Sequence, residues 1–258
     1  MIKIFTFLLS FSCFLYGSFI GGIKEVPLDS SADVVIFEGK IAPKVKKDNG
    51  IFAILPIAID AKTGVQSYFI NGEKIDFLIE DKKYREQRIT LKDNKKVDLS
   101  PEDIARFEKE KIEIQSYINS YTKTDILIFP MQTPTIGKRS SEYGVKRFFN
   151  DKPRSPHSGL DIAAPMGSEV KSTLDGVVVG IGDYFFNGKS IFIDHGLGVV
   201  SMYCHLDEIL VRPNQQVNKG ELIGKVGRSG RSSGPHLHLG IYILGKSIDP
   251  ELFLNTQK

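Results

Sequence analysis

The run His236-Leu-His238-Leu-Gly-Ile-Tyr-Ile243 constrains this chain more than any other. Leu237, Leu239, Ile241 and Ile243 occupy every second position, the period of a β-strand with one buried face. That period turns the aliphatic side chains into a core and sets His236 and His238 together on the opposite face. Residues two apart on a strand are about 6.5–7 Å apart at Cα, so one small ion does not comfortably take both imidazoles. The economical arrangement is one ligand and one neighbour that works on a bound water.

All five histidines lie between His157 and His238. Histidine is both the commonest metal ligand and the side chain most easily used for proton transfer near neutrality. His157-Ser-Gly-Leu-Asp161 stands among Pro153, Pro156, Gly159 and Pro165, so it belongs to a loop or a short extended segment. His205 follows in Tyr203-Cys204-His205-Leu206. Two histidines and an aspartate make three protein ligands with a fourth position open, the pattern of a catalytic zinc site and not of a closed structural one. Each fragment alone has a plainer reading. Buried histidines usually just hydrogen-bond, His-x-x-x-Asp recurs by chance, and His205 could be a satisfied core residue. Joint occurrence in one stretch is what lifts them, and His195 in Asp194-His195-Gly196 reads as a structural turn residue.

The pieces Pro156-His157-Ser-Gly-Leu-Asp161-Ile-Ala-Ala-Pro-Met-Gly167, Asp175-Gly-Val-Val178, Ile193-Asp-His-Gly196, Tyr203-Cys-His-Leu206 and Gly230-Arg-Ser-Ser-Gly-Pro-His-Leu-His-Leu239 occur in this order. Together they closely resemble the lysostaphin-type (LytM) zinc metallopeptidases over about residues 129–252. The resemblance implies a mostly antiparallel β domain with a groove over zinc, acting on peptide cross-links of bacterial peptidoglycan. It implies His157, Asp161 and His238 as zinc ligands, and His205 and His236 as catalytic histidines outside the ligand set. Two departures, Cys204 where a small residue is usual and Gly240 where an acidic one is frequent, touch none of these five positions. Arg231 and Tyr203 are the expected substrate contacts, Arg231 (with Arg228) through a carboxylate of the stem peptide. D-Ala to diaminopimelate is the expected bond, with carboxypeptidase trimming beside it. The alternative is a catalytically silent relative that activates other wall hydrolases.

With 258 residues, 41% of them hydrophobic, there is room for two cores. The net charge of +3 is mild, and the basic residues form no aromatic-interleaved stripe, which argues against nucleic-acid binding. Residues 1–22 read as a signal peptide or membrane anchor. Lys3 is followed by an apolar run from Ile4 to Tyr16, then Gly17 and Ser18. Cleavage is expected near residues 17–22. An uncleaved segment over residues 4–23 would reach across the inner membrane. Either way the chain is expected to be exported to the periplasm or cell envelope. Cys13 falls in this segment, so only Cys204 remains and no internal disulfide forms. Strand alternation points Cys204 away from His205 and into the core.

The fold expected is mainly β. Residues 23–98 form a small β domain without chemistry, with a hairpin turn at Asn71-Gly72. Residues 99–124 form a linker helix capped by Ser100, with Pro101 at its first position and Ile104, Phe107, Ile112, Ile114 and Ile118 on its packing face. Residues 125–258 form the antiparallel zinc-peptidase domain. The linker helix reads first as a packed connector between the domains; the sharper alternative is that it or the β domain borders the groove and gates the substrate.

Overall fold

The computed structural model describes residues 18–89, 100–149 and 151–255. Most of the signal or anchor segment lies outside them. Its end does not, because Ser18 to Ile23 join the β domain through Glu80 N to Ser18 O and Gly21 N to Ala58 O.

The first part of the chain is β, as expected. Its strands are β1 (Ile23–Leu28), β2 (Val35–Phe37), β3 (Lys40–Ile41), β4 (Lys44–Lys47), β5 (Gly50–Pro56), β6 (Gly64–Ile70), β7 (Glu73–Ile79) and β8 (Glu86–Ile89). Asn71 and Gly72 both take positive φ, 50° and 90°, so the Asn-Gly pair makes the two-residue turn that joins β6 to β7. Val26, Val35, Phe37, Leu55 and Tyr68 pack together into a small core of this part.

Helix α1 (Pro101–Ile118) starts where its signals place it. Ser100 Oγ accepts from Asp103 N at 3.1 Å, and Pro101 occupies the first turn. Its packing face differs from the expected one. Ile104 is 47% and Ile112 74% exposed, and the inward stripe is Phe107, Glu110, Ile114, Tyr117 and Ile118. A helix that lays polar and aromatic groups on a neighbour is poorly marked by its isoleucines alone. Here Glu110 accepts from Phe185 N at 2.8 Å and Phe107 meets Phe186 edge-on.

After the helix come β9 (Leu127–Ile128), β10 (Lys138–Ser141), β11 (Lys146–Phe149), β12 (Lys152–Pro153), β13 (Leu160–Ala163), β14 (Glu169–Lys171), β15 (Gly176–Tyr184), β16 (Gly188–Gly196), β17 (Val199–Ile209), β18 (Gln216–Val217), β19 (Leu222–Val226), β20 (His236–Ile243) and β21 (Lys246–Ile248). All of these but β9, β11 and β12 build a ten-stranded sheet whose main path runs β10-β13-β20-β17-β16-β15-β18. The alternation in β20 is realised: Leu237, Leu239, Ile241 and Ile243 are all 0% exposed in the main core. Burial of such side chains contributes about 1.5–3 kcal/mol each.

The two parts of the chain are stitched together. Strand β9 pairs parallel with β4, and Val45 and Ile54 join the main core. Strand β8 pairs parallel with β11, extending the β11–β12 hairpin to three strands.

Candidate metal centre

Two adjacent strands and one loop build the site. Asp161 on β13 lies directly opposite His238 on β20, so both project from one face of the sheet. The His157 loop is tied down by His157 N to Val145 O at 3.0 Å and Gly144 N to His157 O at 2.8 Å. Gly159 is required by close approach: a Cβ there would fall 2.3 Å from Leu239 O and 2.8 Å from the His238 ring.

His157 Nε2, Asp161 Oδ1 and His238 Nδ1 converge, with separations of 3.0, 3.1 and 2.8 Å. All three residues are buried. Protons alone satisfy this trio poorly. His157 Nδ1 is 2.7 Å from the Glu142 carbonyl, which only an N–H can satisfy. In the neutral ring that leaves a lone pair on Nε2, aimed at a carboxylate oxygen and at the ring nitrogen of His238. A divalent cation resolves the crowding of acceptors, and two imidazoles with one carboxylate are a donor set that suits one. The charge balance agrees. Burial pushes the Asp161 carboxyl up, but hydrogen bonds and charge from His157 and His238 outweigh it and hold the group well below the usual carboxylate range. Burial lowers His238, against the pull of Asp161.

The other two histidines flank the trio. His236 Nδ1 lies 2.8 Å from Gly234 O, which fixes the proton on that nitrogen and leaves Nε2 3.8 Å from Asp161 Oδ1. His205 Nδ1 lies 2.9 Å from Ser229 O, and the ring centroid is 4.6 Å from that of His236. Burial, with further push from His238, takes His205 down to about 4, so it stands neutral at physiological pH.

His205 reaches this place through a bulge. Between the pairs Ile191↔Tyr203 and Lys189↔Leu206 the ladder advances two residues on β16 and three on β17. Tyr203 and Leu206 both enter the main core, and Cys204 lies opposite His238 on the other face. Regular alternation would have driven His205 into the core beside Tyr203. As the extra residue, with φ 62°, it sits instead on the His238 side. Such a backbone costs a non-glycine residue about 1–3 kcal/mol, so the surrounding structure must hold it in place.

The bulge also corrects the reasoning about Cys204. The thiol does enter an apolar cluster with Met202, Phe192 and Tyr242, and burial pushes it up to about 11, far from a nucleophile. The reason is local packing, since alternation fails between Cys204 and His205. Tyr203 is a second correction. It is 0% exposed, and its hydroxyl bonds Thr173 Oγ1 and Ser201 Oγ at 3.0 Å each, so it reaches no substrate. Its side chain faces the core. Arg231 is exposed, lies over the Phe186 ring at 5.5 Å, and follows the loop that anchors His205. His195 is a buried structural residue, with Nδ1 2.8 Å from Asp175 O and Nε2 2.7 Å from Ser201 Oγ.

The sequence reading missed Arg147, whose Nη2 stands 3.6 Å from Asp161 Oδ2. No spacing or motif marks an arginine in Val-Lys-Arg-Phe-Phe as a neighbour of Asp161. The backbone carbonyls of Glu142, Ser229 and Gly234, which set the histidine tautomers, were equally invisible.

Residues 155–250 match the model of Peptidase family M23. A stretch of 95 residues is 39% identical to the peptidoglycan DD-endopeptidase ShyA of Vibrio cholerae, covering 37% of this chain and 22% of that protein. The DD-carboxypeptidase/endopeptidase Mpg of Neisseria meningitidis is 40% identical over 94 residues, again 36% of this chain and 22% of the relative. The chain thus matches about a fifth of the length of these curated relatives. A crystal structure from Pseudomonas aeruginosa, described under the name peptidase M23, covers far more. It is 32% identical, with a TM-score of 0.74 over 93% of this chain and 96% of that one. With the buried His-Asp-His trio inside the matched stretch and the likeness running through the N-terminal part as well, the chain belongs to peptidase family M23.

Proposed function

We infer that this chain is a zinc-dependent hydrolase that cuts peptide cross-links of bacterial peptidoglycan. The observation that carries this is the convergence of His157 Nε2, Asp161 Oδ1 and His238 Nδ1, with His236 Nε2 beside them. Those three atoms would hold the zinc, which supplies a Lewis acid and lowers the pKa of water toward about 7.

The chain's own residues handle the protons. His236 has its Nδ1 proton committed to Gly234 O, so its Nε2 is the free base that takes a proton from the attacking water. His205, with Nδ1 held by Ser229 O, offers its own Nε2 to orient the water, and the proton that His236 has taken is the one returned to the leaving amine. An amide needs both services, because it is unactivated and its amine leaves poorly. Burial keeps the His205 ring neutral.

The substrate follows the relatives, a DD-endopeptidase and a DD-carboxypeptidase/endopeptidase. The bond is placed between D-Ala and diaminopimelate, with trimming of unlinked stems beside it. Arg231 is assigned to a carboxylate of the stem peptide, and the apolar N-terminal run to export into the periplasm or cell envelope. Metal analysis of the purified protein, with mass spectrometry of products from defined cross-linked muropeptides, tests the reading. One zinc per chain and split dimers are expected. Zinc without any cleavage would turn the assignment to a silent activator of other hydrolases, and a zinc-free protein would end it.

A further inference from the structure

The two oxygens of Asp161 have different surroundings. Oδ1 faces His157 Nε2 and His238 Nδ1, at 3.0 and 2.8 Å. Oδ2 faces Arg147, with Nη2 at 3.6 Å. That distance is an electrostatic contact and too long for a hydrogen bond. The same Nη2 donates to Ser141 Oγ at 2.9 Å, which fixes the guanidinium beside the carboxylate. Arg147 Nε is buried and has no hydrogen-bond partner among the described residues. Leaving a buried N–H unpaired is unfavourable, so the arginine is not held there by its own hydrogen bonding alone. The charge of Asp161 accounts for the position.

Arg147 stands on β11, outside the sheet that carries Asp161 and His238. Its strand is paired on one side with β12 and on the other with β8, which comes from the N-terminal part. In that ladder Gln87 lies opposite Arg147, and Lys146 N donates to Arg85 O at 2.9 Å. Arg88 adds two ties: it stacks 4.3 Å over the Phe148 ring and meets Asp151 at 3.1 Å. The N-terminal part thus grips the strand on which Arg147 stands.

We propose that Arg147 is a positioning residue that holds Asp161 as a one-oxygen ligand, and that strand β8 keeps Arg147 in place, so that the N-terminal part sets the metal affinity of the C-terminal site. This rests on the reading of His157, Asp161 and His238 as a zinc site. Partners that orient a ligating carboxylate change metal affinity about 10- to 100-fold when removed.

The test is zinc affinity of the full chain, measured by competition with a coloured chelator, alongside thermal unfolding of the metal-free forms. R147Q is expected to bind zinc at least about ten-fold more weakly, and R147K, which keeps the charge, to recover part of the loss. Gln87→Pro, which removes a backbone N–H from β8, should weaken binding in the same direction. The double variant should bind no more weakly than R147Q, because both act through one contact. An Arg147 that only braced the hairpin would lower the melting temperature and leave zinc affinity unchanged, and that result overturns the proposal. So does a fully additive double variant. Should R147Q fail to fold, Gln87→Pro decides: weaker binding supports the proposal, and unchanged binding defeats it. A wild-type chain that takes up no zinc refutes the metal-site reading itself, whereas zinc uptake insensitive to Arg147 refutes only this inference.

Discussion

Two histidine-centred networks lie in the same sheet, and they are built on opposite principles. Around His195 every polar atom has a complementary partner: Asp175 O accepts at one ring nitrogen, Ser201 Oγ meets the other, and the chain continues to the Tyr203 hydroxyl and Thr173. Around His157 and His238 the ring nitrogens and a carboxylate point at one another with too few protons to go round. Burial is similar in both places, since His195 is 6% exposed and His157 and His238 are 8% exposed. What separates a structural histidine from a candidate ligand here is the balance of donors and acceptors, not depth. The first network closes on itself, and the second asks for a cation.

That contrast can be broken by substitution. His157→Ala should abolish zinc uptake and lower hydrolysis of cross-linked muropeptides by more than about 10⁴-fold, because it removes a ligand and with it the Lewis acid. Metal analysis and product chromatography would show it, and retained zinc would mean the ligand set is wrong. His236→Ala should keep its zinc yet lose about 10²–10⁴-fold in rate, the usual contribution of a positioned general base. A zinc-free His236→Ala protein would show that ligand and base have been exchanged.

The closed network predicts the reverse pattern. His195→Ala leaves Asp175 O and Ser201 Oγ without their partner, so denaturant unfolding should report a loss of about 2–4 kcal/mol while zinc stoichiometry stays at the wild-type value. A change in zinc would tie the two networks together. The pH dependence sharpens the same point. Burial takes His195 down to about 4, below its ordinary 6.5, so the unfolded chain binds a proton that the folded chain refuses. Stability contributed by neutral burial is therefore present above about pH 6.5 and lost as pH falls toward about 4. The loss is on the order of 3 kcal/mol at most. Comparing wild type with His195→Gln over that window should show a shallower acid slope in the variant; parallel slopes would contradict it. The smallest effect belongs to Cys204. It packs with Met202 and Tyr242 on the helix side of the sheet, and Cys204→Ala should cost about 1 kcal/mol and leave hydrolysis intact.

Much of this protein was legible from residue order because its signals are local. The period of two in β20 fixes which side chains face the core, and Asn71-Gly72 needs only its own positive φ values to turn a hairpin. Ser100 and Pro101 start α1 through atoms a few residues apart. The candidate ligands His157, Asp161 and His238, with His205 and His236 beside them, stood out through composition and order, and the structure places all five together. Where expectation failed, the cause lay beyond the neighbouring residues. Ile104 and Ile112 seemed to mark the buried face of α1, but that face is chosen by the Phe185–Phe186 hairpin tip it meets.

What residue order determined by itself was therefore the element types, the faces of β20 and the identity of the histidine set, since each depends on side chains a few bonds apart. Only the tertiary structure decided that a bulge at His205 turns this residue out of the core and that Tyr203 stays buried. It alone decided that a strand from the N-terminal part grips the one bearing Arg147. Those outcomes depend on register and parallel pairing between segments far apart in the chain, and such pairings leave no periodic trace in either segment.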